Sequence, residues 1–235
     1  MPFAGFDLAT YPGDAVMEAL YDQSNLEWVG FYLPVAGPGF KDKKTWITKY
    51  RTLRSFGWGV APIYLGKQPH SHSLALVRGG EEMNGYLDGV EATNFASNEG
   101  MPPGTVIYFD QELPSADSAW LSHYFGWAKA VIDQGYKPGI YCSFTIAHAI
   151  TSYIERRSPN AKPVVWVWNL NKYPAHKSFS DLNSIPAPEP HSAGGGASSW
   201  QYIQKSSLKI LGRTIAPVDF DSSDTSDPGR VGGLT

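Results

Sequence analysis

Short apolar runs alternate with longer stretches in which apolar residues recur at helical spacing, and this alternation repeats along most of the chain. "FAGFDLA" (3–9) reads as a strand stopped by the turn signal "TYPG". Residues 14–25 follow with helical periodicity and Asp14 as a candidate N-cap. "EWVGFYL" (27–33) predicts a second strand stopped by Pro34, and 42–57 an amphipathic helix stopped by Gly57. "WGVAPIYLG" (58–66), "TVIYFDQE" (105–112) and "KPGIYCS" (137–143) predict strands three to five. Helices are predicted over much of 74–97, over 116–135 and over 145–157.

Beyond that the rhythm changes. "PVVWVWNL" (163–170) predicts a sixth strand, but no strong helix follows it. A Pro/Gly/Ser-rich loop covers 185–199, and "SWQYIQ" (199–204) and "TIAPVDF" (214–220) predict the last two strands. Five strand–helix repeats argue for parallel β/α units, and eight strands favour closure. The predicted fold is an α/β, irregular TIM-type (β/α) barrel. It has about five regular helices, and its last strands are joined by loops. The barrel is expected to span 1–222, with 223–235 as a polar tail that frays.

In such a barrel the site gathers at the C-terminal strand ends. Asp7 ends the first strand, Asp110 and Glu112 the fourth, and Asp219 and Asp221 the eighth. Side chains alternate along a strand, so Asp110 and Glu112 share a face. The inward phase turns Val106 and Tyr108 into the barrel and Ile107 and Phe109 to the helices. The opposite phase would bury two carboxylates against the helical layer, at a cost of several kcal/mol for each unpaired charge. An Asp-x-Glu pair arises by chance about once in two chains of this composition. Such acids also cap helices or simply face water, so the weight lies in their common location. Carboxylates crowded at one mouth cannot all ionise easily. One should hold a raised pKa, which supplies an acid and a base from similar groups.

Composition adds little that competes. The chain has 235 residues, 42% hydrophobic and 17% charged, enough for one sizeable core. Its net charge is −3 with scattered basic residues, so nucleic-acid binding is not expected. No apolar run is long enough to span a membrane. Cys142 stands alone, without a possible disulfide partner, and reads as a packed small hydrophobe. His70 and His72 lie at metal-compatible spacing but without a supporting frame. The triple glycine at 194–196 lacks the context of a phosphate loop, and no Gly-x-Ser-x-Gly elbow occurs. The 8 Trp and 13 Tyr suit sugar platforms as well as a core.

"GFDLA", "VIYFDQE", "GIYCS", "WQYIQ" and "VDFD" occur in the order and spacing of the family 25 glycoside hydrolases, which this chain resembles. These are the Chalaropsis-type lysozymes, which cut peptidoglycan between N-acetylmuramic acid and N-acetylglucosamine. "GFDLATYP", "GWGVAPIYLG" and "GTVIYFDQE…PGIYCS" are closer still to a bacterial group called the glycoside-hydrolase-like domain. The resemblance covers about residues 3–221. It implies Glu112 as general acid and Asp110 as nucleophile, base or electrostatic partner, with Asp7 and Asp219 as supporting acids. It also implies a cleft wall of Trp200, Gln201 and Tyr202, and a groove lined by Trp166 and Trp168, one of which could equally belong to the core. Tyr64, Tyr108, Tyr141 and Asp221 complete the candidate binding set. "PVAGPG" stands where these lysozymes carry a "TEG"-like segment, which bears on muramic-acid specificity.

The function expected is a glycosidase, a lysozyme-like hydrolase of a bacterial cell-envelope glycan, working without an organic cofactor or metal. The alternatives are a glycan-binding or wall-targeting barrel and, third, a divalent-metal hydrolase built on the same acids. The expected setting is secreted or at the cell envelope, as a monomer. "MPFAGFDLAT" shows no signal-peptide pattern, so the export route is not written there.

Overall fold

The computed structural model describes residues 1–33, 45–66, 80–112, 115–173, 178–179 and 181–230. Pro34, "PVAGPG", His70 and His72 lie outside the described residues. Eight strands close into one barrel in sequence order. They are β1 (Phe3–Asp7), β2 (Leu26–Tyr32), β3 (Gly59–Tyr64), β4 (Val106–Asp110), β5 (Lys137–Ser143), β6 (Val164–Trp168), β7 (Ser199–Ile210) and β8 (Arg213–Ser223). Among the described residues, five α-helices join the first six: α1 (Asp14–Gln23), α2 (Tyr50–Phe56), α3 (Gly80–Asn98), α4 (Ser118–Asp133) and α5 (Phe144–Arg157). The irregular (β/α) barrel expected from the sequence is what forms.

Local chemistry sets the helix ends. The Asp117 side chain accepts from the backbone N–H of Ala119 and Trp120, starting α4 as an N-cap should. Ser143 does the same for Thr145 at α5. Gly57 stops α2 with φ 105°, a left-handed turn that only glycine takes without strain. Asp14 does not cap α1. It is the first helical residue, and its carboxylate binds the Tyr11 hydroxyl at 2.7 Å and Lys49 Nζ at 2.8 Å.

The strand directions carry the main correction. Pairing is parallel from β1 through β7, but β8 runs antiparallel to both β7 and β1. The C-terminal end of β8 therefore lies at the bottom of the barrel, not at the mouth. Asp219 reaches the mouth by register, opposite Asp7, and Asp221 lies one inward position deeper, opposite Gly5. Strands β7 and β8 run 12 and 11 residues, about twice the shorter strands. Their outer halves leave the barrel as a hairpin through Ser206↔Val218 to Ile210↔Arg213. This hairpin packs on Phe179, through a bridge to Leu208 and a ring contact with Phe220.

The barrel interior is aromatic. Trp166 packs edge-on against Trp28, Tyr108 and Tyr141 with ring centroids 5.0–5.5 Å apart. A Cβ at Gly5 would lie 2.2 Å from the Trp28 indole, and one at Gly30 would lie 2.6 Å from Asp7 Cβ. These two glycines leave the room that the tryptophans and Asp7 occupy.

The tail does not fray through residue 230. Asp227 accepts from Arg54 Nη1 at 2.6 Å and from the Val60 N–H at 3.0 Å. The Tyr108 hydroxyl donates to the Pro228 carbonyl at 2.9 Å. Polar composition alone suggested mobility, but these groups find buried partners that close the barrel's lower end.

Candidate active site

The opposite end opens into a cleft of about 330 Å³, lined by Asp7, Asp110, Glu112 and Asp219 together with Tyr32, Tyr141, Trp168, Leu170, Gln201 and Gln204. Strand alternation explains how Asp110 arrives. Phe109 packs outward on Tyr124 and Trp127 of α4, so Asp110 and Tyr108 face in. Glu112 stands two residues beyond Asp110 and is the exposed acid of the set. Asp7 and Asp110 are almost wholly buried, at 4% and 2% exposure.

A hydrogen-bond web ties the floor together. The Tyr32 hydroxyl donates to Asp7 Oδ1 at 2.7 Å. The Tyr141 hydroxyl donates to Gln201 Oε1 at 2.7 Å, which fixes the amide's orientation. Gln201 Nε2 then points at Asp219 Oδ2, 2.9 Å away, and more distantly at Asp7 Oδ2, 3.4 Å away. The Lys205 N–H donates to Asp219 Oδ1 at 2.6 Å. Below, Asp221 Oδ1 accepts from the Trp166 indole at 3.1 Å.

These surroundings shift the acids. Burial, then the neighbouring Asp7, pushes Asp219 up to about 7, against the bonds from Lys205 and Gln201. Burial, then Asp7 and Asp219, holds Asp221 well above the usual carboxylate range. Burial, then Asp7 and Asp110, raises the Tyr32 and Tyr141 hydroxyls, so both remain donors. Asp219 and Asp221 therefore both hold their protons to higher pH than ordinary carboxyl groups do.

Several expected binding residues stand elsewhere. Tyr64 faces the helices, stacked on Trp127 at 5.5 Å and bonded to Glu91. Tyr108 points down the barrel to Pro228, and Trp166 is fully buried as the interior plug. Trp200 and Tyr202 face outward from β7, their polar tips bonded to the carbonyls of Asn169 and Pro186. Only Gln201 of that triplet reaches the cleft, because its neighbours on the strand must point the other way. Asp221 lies under the floor rather than on it. The same alternation finds Tyr32, in phase with the inward Trp28 and Gly30, and Leu170, two positions past Trp168. Both had gone unmarked in the sequence, as had Gln204.

Fold and cleft define the class: an irregular α/β barrel carrying a carboxylate-lined cleft at its open end, as in glycoside-hydrolase-like domains. The chain belongs to the Rv2525c-like, glycoside hydrolase-like domain family, whose model matches residues 18–225. Among solved structures, an uncharacterized B. stearothermophilus protein is similar with a TM-score of 0.61 and 21% identity, over 94% of this chain and 96% of that one. The Tat-secreted protein Rv2525c of Mycobacterium tuberculosis aligns with a TM-score of 0.56 and 14% identity, over 97% of each chain. The spore cortex lytic enzyme SleM of Clostridium perfringens aligns with a TM-score of 0.58 and 14% identity, over 94% of this chain and 67% of that one. No curated protein matches. Among the described residues, no helix is long and apolar enough to cross a membrane.

Proposed function

We propose that the cleft binds and hydrolyses a bacterial cell-envelope glycan of the peptidoglycan type. The observation that carries this reading is the convergence of Asp7, Asp110, Glu112 and Asp219 on one open cleft walled by Tyr32, Tyr141 and Trp168. Glu112, exposed at the rim, is placed to protonate a glycosidic oxygen. Asp110, one inward position below it, supports the developing cation, either as an electrostatic partner or by acting on the anomeric carbon or a water. Tyr32 and Gln201 hold Asp7 and Asp219 in place beneath the sugar. Membership of a glycoside-hydrolase-like family and a fold shared with a lytic enzyme support the same class. The Tat-secreted relative supports action outside the cytoplasm.

The test is the Glu112→Gln variant on purified peptidoglycan, with new reducing ends as the readout. Losing a general acid should cost about 10²-fold or more. Activity within about threefold of wild type removes Glu112 from this role.

One observation favours a second reading, a barrel that binds glycan without cutting it. Asp7 and Asp110 are nearly inaccessible, which leaves Glu112 as the exposed acid. Calorimetric binding with no new reducing ends after long incubation would select this reading. Among the described residues, no group of three or more His, Cys, Asp or Glu is arranged to hold a metal ion.

A further inference from the structure

The hydrogen-bonding inventory of the floor narrows the kind of sugar it can receive. Its donors are already turned onto acceptors of the protein. The Tyr32 hydroxyl serves Asp7, the Tyr141 hydroxyl serves Gln201 Oε1, and Gln201 Nε2 serves Asp219 and Asp7. Four carboxylates line the cleft, and its described lining residues include no Lys, Arg or His. Beneath them lies the fully buried Asp221, whose carboxyl group interacts with that of Asp7. Among the described residues the floor is therefore rich in carboxyl groups, while its tyrosine hydroxyls and the Gln201 amide are already engaged. The strand register also sets Asp7 directly opposite Asp219, so two carboxyl groups meet at one point.

Sugar substituents respond to such a floor in different ways. An N-acetyl carbonyl brings another acceptor, and a lactyl or uronic carboxylate adds another negative charge. A free 2-amino group, when protonated, brings three donors and a positive charge. We infer that the floor takes a hexosamine unit bearing a free, protonated amine, so that the preferred substrate is a cell-envelope glycan already de-N-acetylated at the unit seated over Asp7 and Asp219. This rests on the glycan reading above and specifies its substrate class. It also implies an earlier amide-hydrolysing step, which removes acetate and leaves the amine.

Protons shared by the carboxylates make way for the ammonium when it binds. Asp219, pushed up to about 7, gives up more of its proton as pH rises from 5 to 6.5, while a sugar amine remains largely protonated. Affinity for the amine form should therefore rise across that window. An N-acetylated ligand lacks the charge that couples to it.

The experiment is calorimetric titration of the full chain with two β-1,4-linked tetrasaccharides, of glucosamine and of N-acetylglucosamine. It is run at pH 5 and pH 6.5 in about 0.15 M salt, which screens loose attraction between exposed charges. The glucosamine form should bind about tenfold more tightly at pH 6.5, with the preference smaller at pH 5 and with protons released on binding. Asp219→Asn should reduce the preference to under about threefold. Should that variant fail to unfold cooperatively, the wild-type pH dependence and proton release decide alone. Equal binding, or preference for the N-acetylated form, overturns the inference and leaves the glycan reading standing. An amine preference that does not change with pH, or that persists undiminished in a folded Asp219→Asn protein, also overturns it. Binding of neither ligand overturns both.

Discussion

The two sides of the barrel reach the same cleft by different routes. From β1 to β6 each strand feeds a helix or loop and points the same way, so its C-terminal end delivers residues to the mouth. Asp7, Tyr32, Asp110, Tyr141 and Trp168 all arrive by that rule. The β7–β8 side breaks the rule. There Asp219 comes from the middle of a strand running the other way, and its position is set by pairing with Asp7. The hairpin extends past Asp219, and Lys205 on its other strand closes one of its carboxylate oxygens. A regular β/α unit places an acid by chain direction, whereas the hairpin places one by register. The comparison teaches that a site in an irregular barrel should be sought at the level of the mouth, not only at strand ends.

The largest expected effect separates two tryptophans on one strand. Trp166→Ala empties the barrel interior and should destabilise the protein by about 3–5 kcal/mol in urea unfolding. Trp168→Ala should change stability by under about 1 kcal/mol, yet weaken glycan binding roughly tenfold. Equal destabilisation by the two would erase the distinction between plug and rim.

At the lower end, Asp227→Ala removes the acceptor for Arg54 and for the Val60 N–H. A loss of about 1–3 kcal/mol is expected, because a partly buried donor is left without its partner. Deleting residues 224–235 should cost at least as much. A truncated chain as stable as the full one would show that these contacts do not hold the barrel closed.

A smaller effect is the pH dependence of stability. Asp219 and Asp221 bind their protons more tightly folded than unfolded, where the carboxyl value is 3.8. The native state therefore holds more protons than the unfolded chain between about pH 4 and 7, and stability must fall as pH rises through that window. The thermal midpoint should be higher at pH 5 than at pH 7.5, and Asp221→Asn should flatten the dependence. A midpoint that rises with pH in the wild-type protein and is unaffected by this substitution contradicts the raised Asp219 and Asp221 carboxyl groups.

The smallest effect concerns two tyrosines on β3 and β5, the strands that flank β4. Tyr64→Phe should leave glycan affinity within about twofold, since its hydroxyl faces Glu91 in the helical layer. Tyr141→Phe frees the Gln201 amide to turn over and should shift the pH profile of any glycan cleavage.

Much of this was legible in the sequence, for identifiable reasons. The phase of β4 followed from the cost of burying carboxylates, and Phe109 among the helical aromatics agrees with it. The five helices followed from periodicity, although α2 is shorter than predicted, with turns at Trp46–Lys49 before it. The direction of β8 was not legible, because alternation reads the same both ways along a strand. The resemblance implied Trp200, Gln201 and Tyr202 together as a wall, yet consecutive strand residues cannot share a face. Tyr64 failed for the same reason of phase, since Ile63 is the inward residue that approaches Gly30.

The measurement that tests the account most directly is reducing-end release from peptidoglycan by Glu112→Gln, Asp219→Asn and the double variant. If the two sides of the barrel build one catalytic unit, the double variant should lose about as much activity as Glu112→Gln alone. Losses that simply multiply would show two independent contributions and contradict a single site assembled across the mouth.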